Sequence, residues 1–151
     1  MDMLEIGNGN MTLHEQQTHL TFWAALKSPL IIGADLQTLS NESLNVLRNK
    51  EIIAISQDAL GEAVTYLPNL SKDKSTQVWA GPLTGGKVLI LVLSELANTT
   101  TVNISLGDIP GLTSYSSYRV RDIWGARNLG QAKGNVTLQV ATHQTKALVL
   151  S

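Results

Sequence analysis

Two histidines and a glutamate in HEQQTH, residues 14–19, are the first side chains of this sequence that could gather round a metal. A metal-binding helix of that kind needs its histidines four residues apart, so that both face one side. Here they are five apart, about 140° round a helix, and the stretch reads as a polar helix surface. No metal and no other cofactor is expected. Four carboxylates, Asp2, Glu5, Asp35 and Asp58, fall near the ends of elements. Barrel enzymes put their chemistry at the C-terminal ends of strands, and Asp35, just after LIIG, could reach such a face. Solvated loops and helix caps use aspartate in the same places. GNGN at 7–10 lacks the spacing and the lysine of a phosphate loop and reads as a turn. With no cysteine and no G-x-S-x-G, no familiar nucleophile is present. Trp79, Trp124, Tyr115 and Tyr118 could stack on sugar rings if exposed, although core packing is the commoner fate of such residues.

A different chemistry is written in the N-x-[ST] triplets at Asn10, Asn41, Asn69, Asn98, Asn103 and Asn135. Ten asparagines and 26 serines and threonines would scatter roughly two such triplets by chance, so six is an excess. Turns and strand ends gather the same residue types and account for part of it. The better reading is a secreted, glycosylated protein. A net charge of −1 with no basic cluster excludes an electrostatic footprint for nucleic acid. The longest apolar run, VLILVL at 88–93, is too short to span a bilayer, and no membrane association is expected. The N-terminus has no charged region followed by an apolar stretch, so a signal peptide is not part of this sequence. DMLEI opens the chain as though in mid-element, and the expectation is that the N-terminal part of the protein lies outside it.

The elements that would position these groups fall into two regimes. Up to about residue 58 the pattern runs strand, helix, strand, helix. DMLEI is a short strand; Thr12 and Glu15 form a capping box, and a helix follows to about Lys27 with Leu13, Leu20, Trp23 and Ala24 along its apolar side. Pro29 stops it, and LIIG is a continuous apolar run of the sort buried on both faces of a parallel sheet. The next helix starts at Ser40 with Leu39 and Leu44 as a hydrophobic staple, and runs through NKEIIAISQD with a break near Asn49. Two parallel strands cannot make a covered sheet alone, so this layer needs partners from elsewhere.

From Gly61 the period changes to two. Val102, Ile104 and Leu106 alternate with Asn103 and Ser105, and Val136, Leu138 and Val140 with Asn135, Thr137 and Gln139. TGG between TQVWAGPL and KVLILVL suits a hairpin. Six or seven short strands at this spacing predict an antiparallel sandwich. The expected division is residues 1–60 and residues 61–151.

DMLEIGNG, then THLTFWAALKSPLIIGADL, then NKEIIAISQDALG resemble the C-terminal half of an α-galactosidase (melibiase) of glycoside hydrolase family 27, and VWAGPLTGG and DIWG are similar to that family's terminal β-domain. The resemblance runs over essentially the whole chain. It implies an α/β plus all-β fold: the last two βα units of a (β/α)8 barrel, followed by an antiparallel β-sandwich. It also implies retaining hydrolysis of terminal α-linked galactose, with an α-galactoside as the partner molecule. Retaining glycosidases need two carboxyl groups roughly 5 Å apart. In the family both are aspartates upstream of the DML motif, in segments not found in this chain, so the chain alone is expected to be inert. Asp2 and Met3 match the Asp-Met pair that shapes the family's sugar pocket. The alternatives are a fragment of an α-N-acetylgalactosaminidase, whose distinguishing loops would also lie upstream, and a non-catalytic β-sandwich that binds sugar.

Overall fold

The computed structural model describes residues 3–71 and 75–151, so the Asp2 expectation lies outside the described residues. The two apolar segments of the first region do pair in parallel. The Leu4 amide donates to the Ile31 carbonyl (2.6 Å), the Gly33 amide donates to the Leu4 carbonyl (2.9 Å), and Leu4 and Ile32 form a single parallel bridge. Parallel neighbours need a crossover, and α1 (Leu13–Ala25) supplies it. Its start is the expected capping box: the Thr12 side chain accepts from the Glu15 amide, and the Glu15 carboxylate accepts from the Thr12 amide at 2.7 Å. Ser40 caps α2 (Asn41–Leu47), and the Asn49 side chain accepts from the Glu51 and Ile52 amides to open α3 (Lys50–Ser56). The break at Asn49 is thus one helix ending and a new cap beginning.

The second region is a two-layer antiparallel sandwich. One sheet runs in the order β1 (Thr65–Tyr66), β2 (Thr76–Leu83), β3 (Lys87–Ser94), β8 (Thr145–Leu150), β5 (Ser117–Asp122), β6 (Arg127–Lys133). The other pairs β4 (Thr100–Ser105) with β7 (Asn135–Val140). Val78, Ile90, Val92, Leu148 and Leu150 of the first sheet meet Val102, Ile104, Val136, Leu138 and Val140 of the second. The opposite face of the large sheet is not wet. Leu83, Leu89, Leu91 and Ala147 pack against Leu20, Ala24, Val46, Ile52 and Ile55 of the helices, together with Leu4 and Ile6. That arrangement explains why β3 is apolar at successive positions rather than alternating: both of its faces are covered.

Polar contacts pin the same seam. Arg121 of β5 makes two bonds to the Glu51 carboxylate of α3, at 2.6 and 3.0 Å. The indole of Trp124 donates to Thr21 Oγ1 on α1 (2.9 Å). In DIWG, the buried Asp122 carboxylate accepts from the Gly125 amide at 3.0 Å. A Cβ on Gly125 would collide with that carboxylate, so the turn that aims Trp124 at the helix needs glycine there.

Two expectations change. LIIG is not buried on both faces: Ile31 is 56% and Ile32 43% exposed. Leu4 is the strand neighbour the described residues give this segment, so one edge and much of its surface stay in solvent. Leu13, expected on the apolar side of α1, is 41% exposed. The described residues also hold eight strands rather than six or seven. β1 has only two residues, and β6 is a polar edge strand without apolar alternation.

Candidate functional site

The C-terminal ends of the two parallel segments bring together residues far apart in sequence. Met3 is 40% exposed and its side chain crosses Gly33. A Cβ on Gly33 would stand 2.5 Å from Met3 Sδ and 3.1 Å from the Leu4 carbonyl oxygen, so glycine at 33 is what lets Met3 lie there. In the turn that follows, Asn8 ties the two ends together. Its Nδ2 donates to Glu5 Oε2 (2.6 Å) and to the Gly33 carbonyl (3.3 Å), and its backbone amide donates to the Glu5 carbonyl (3.0 Å). The Glu5 amide in turn donates to His19 Nε2 (3.1 Å) on α1. A backbone N–H is always a donor, so Nε2 carries no proton and His19 is the neutral tautomer protonated at Nδ1. Burial pushes the His19 pKa below its ordinary value, against the opposing pull of the Glu5 charge. Its ring lies 4.0 Å from that of Trp23.

The other candidates take structural duties. Asp35 is exposed, and its carboxylate accepts from the Gln37 amide (2.9 Å), which closes a turn. Asp58 accepts from the Thr84 amide and hydroxyl and from the Leu60 amide, clasping the β2–β3 hairpin. Partial desolvation raises its pKa, but the bonds from Thr84 and Leu60 outweigh it and hold the carboxyl below its usual range. His14 meets Gln144 at 3.3 Å while His19 turns to the strand end, so the two histidines of HEQQTH do part company. Among the described residues no group of three His, Cys, Asp or Glu side chains could hold a metal.

Of the aromatics, Trp79 donates to Gln77 Oε1 (3.2 Å) and packs edge-on to Phe22 of α1, with ring centres 5.5 Å apart. Trp124 is bonded to Thr21, and the Tyr118 hydroxyl accepts from the Thr113 amide (2.8 Å). Only Tyr115 of the four stands free of the core, 86% exposed. All six candidate glycan acceptors are exposed. A groove of about 630 Å³ lies between α3 and the large sheet, and none of Met3, Glu5, Asn8 or Gly33 lines it. Asn8, His19 and Gly33 had no site role in the sequence reading. GNGN announced only a turn, and nothing local says that Asn8 reaches Gly33, 25 residues on.

The strand-end cluster offers an apolar wall and a carboxylate and amide held in fixed positions. It can shape a pocket and hydrogen-bond a polyhydroxyl ligand. A retaining hydrolase needs in addition two carboxyl groups facing each other across about 5 Å, one of them the nucleophile.

Two family models match the chain in succession: alpha galactosidase A over residues 1–58, and the alpha galactosidase C-terminal beta sandwich domain over residues 73–150. The chain belongs to the α-galactosidase family. Alpha-galactosidase 3 of Arabidopsis thaliana is 38% identical over 151 residues, which is 99% of this chain and 34% of that protein. The alpha-galactosidase of Coffea arabica is 35% identical over 99% of this chain and 39% of its own length. Among solved structures, alpha-galactosidase I from Mortierella vinacea superposes with a TM-score of 0.91 at 32% identity, covering 99% of this chain and 38% of that one. The chain therefore spans 34 to 39% of the length of these relatives. Within the α-galactosidase family its fold is the end of a (β/α)8 barrel followed by the antiparallel sandwich, as the DML, LIIG and DIWG motifs imply.

Proposed function

We propose that this chain forms the C-terminal part of a secreted α-galactosidase, a retaining hydrolase that releases terminal α-linked galactose. Residues 1–60 supply two βα units of the catalytic barrel, and residues 61–151 the sandwich behind it. The observation that carries the reading is Met3 laid over Gly33 at the C-terminal end of a parallel pair, the rim at which barrel enzymes bind substrate, in a chain of this family. In this reading Asp2 accepts hydrogen bonds from sugar hydroxyls, and Met3 gives an apolar face for the ring. Asn8, Glu5 and His19 hold the turn that follows Met3. Cleavage of the bond belongs to two carboxyl groups on earlier barrel segments, so the 151 residues alone do not hydrolyse galactosides. The six exposed N-x-[ST] acceptors support the secretory route.

The test is a fusion of this chain behind the first two thirds of the Arabidopsis relative. The fusion should hydrolyse an aryl α-galactoside, and the 151-residue chain should give the buffer rate. Met3→Ala in the fusion should cost about tenfold in kcat/KM, about 1.4 kcal/mol of transition-state binding. Hydrolysis by the chain alone, or a fusion indifferent to substitution of both Asp2 and Met3, would overturn the reading.

A further inference from the structure

The outer face of the β4–β7 sheet has no part in the hydrolytic reading. Thr101, Asn103 and Ser105 of β4 share it with Asn135, Thr137 and Gln139 of β7, while Val102, Ile104, Val136, Leu138 and Val140 alternate into the core. Ser105 is half-buried and the other five are exposed. On the large sheet, by contrast, the outward face is packed under the helices. The register places Asn103 opposite Thr137 and Ser105 opposite Asn135. Each acceptor asparagine of an N-x-[ST] triplet therefore sits directly across from the hydroxyl residue of the other triplet. The Thr137 hydroxyl donates to Asn103 Oδ1 at 3.4 Å, so one triplet is already engaged by its neighbour.

We propose that Asn103 and Asn135 form a paired N-glycan site, modified before β4 and β7 come together, whose oligosaccharides cover this sheet in the finished protein. The proposal rests on the secretory reading above. In the transfer, the asparagine Nδ2 attacks the anomeric carbon of a lipid-diphosphate-linked oligosaccharide. The N–C bond forms as the bond from that carbon to the diphosphate oxygen breaks, the lipid diphosphate departs, and the amide nitrogen loses one proton. A transferase must hold the triplet as a free extended strand with its hydroxyl residue accessible. Once paired, these strands spend their ladder groups on each other, and Thr137 is turned to Asn103. The finished glycans meet no such obstacle, because both side chains point to solvent and neither the ladder nor the core has to yield. They also fall where cover is useful, since among the described residues β4 and β7 each have one strand partner and one open edge.

Two measurements on the full chain decide it. Site-by-site glycopeptide mapping of protein secreted from a eukaryotic host should find oligosaccharide at both Asn103 and Asn135. N103Q and N135Q should each lose the mass of one glycan, and S105A should lose the same glycan as N103Q with the asparagine still in place. Folded, unglycosylated protein given purified transferase and lipid-linked oligosaccharide should then gain no glycan at Asn103 and Asn135, and the same protein once unfolded should gain both. Bare Asn103 and Asn135 beside occupied acceptors elsewhere would overturn the paired site and leave the secretory reading standing. Six bare asparagines would overturn both. Transfer to Asn103 or Asn135 in the folded protein would overturn the order of modification and folding.

Discussion

The described residues from 61 onward bury their apolar side chains largely against one another, whereas residues 3–60 bury theirs partly among themselves and partly against the outer face of the large sheet, and leave the remainder in solvent. Val78, Ile90, Val102, Ile104 and Leu148 find partners across two sheets that the same stretch of chain provides. In the first region, Leu20, Ala24, Ile52 and Ile55 reach the outer face of β3 and β8, but Ile31, Ile32 and Leu36 are exposed. The difference is one of strand supply. An antiparallel sandwich closes on itself, while a parallel strand is stable only inside a sheet with neighbours and helices on both faces. Among the described residues the first region has one parallel bridge. Its exposed isoleucines lie on the segment that the family's barrel would continue, while α1 and α3 share an apolar cluster with the outer face of β3 and β8.

The largest effect that separates the two regions should come from their apolar side chains. Ile90→Ala, at a fully buried position, should destabilise the chain by about 3 to 4 kcal/mol in denaturant unfolding. Ile31→Ser should change stability by less than about 0.5 kcal/mol in the same assay. Equal costs would break the comparison. The seam comes next: Trp124→Phe removes the bond to Thr21 and should cost about 1 kcal/mol, and a double-mutant cycle with Thr21→Val should assign most of that loss to the pair.

The smallest effect is electrostatic. The Arg121 guanidinium holds the Glu51 carboxyl below its usual range, against partial desolvation, on a pair that remains about a third exposed. A carboxyl whose folded pKa is depressed contributes stability above its unfolded pKa, and that contribution fades as pH falls through the folded value. The melting temperature of the chain should therefore drop on acidification below the ordinary carboxylate range. Arg121→Met should start slightly lower at neutral pH and show a shallower acid drop. An unchanged pH profile in that variant would show the pair to be without weight in the seam.

Much of the local structure was legible because its signals are short-range. Thr12 with Glu15, Ser40 as a cap, Asn49 as a break, and the TGG hairpin each depend on residues within a few positions of one another. The alternation that placed β4 and β7 says which side chains point inward, but not that these strands pair with each other, 30 and more residues apart, in a sheet of their own. β6 escaped notice because RNLGQAK is an edge strand with no buried apolar stripe. LIIG was misjudged for burial because its composition reports the environment it suits, and the strands that would provide it are not among these residues. In the strand-end cluster Met3 is the residue that the DML motif singles out. Asn8, His19 and Gly33 were not legible, since a hydrogen bond across 25 residues and a missing Cβ under a methionine leave no pattern in sequence.

The most direct measurement is residue-resolved amide hydrogen exchange, first on this chain and then on the fusion that supplies the preceding barrel segments. The amides of β3 and β8 should exchange only through global unfolding in both. Those of Leu4 and Gly33 should exchange by local opening in the chain alone and become as slow as β3 in the fusion, where further strands continue the parallel sheet. If Leu4 and Gly33 were already as protected as β3 in the chain by itself, or gained nothing in the fusion, residues 3–60 would be a finished structure and not part of a barrel.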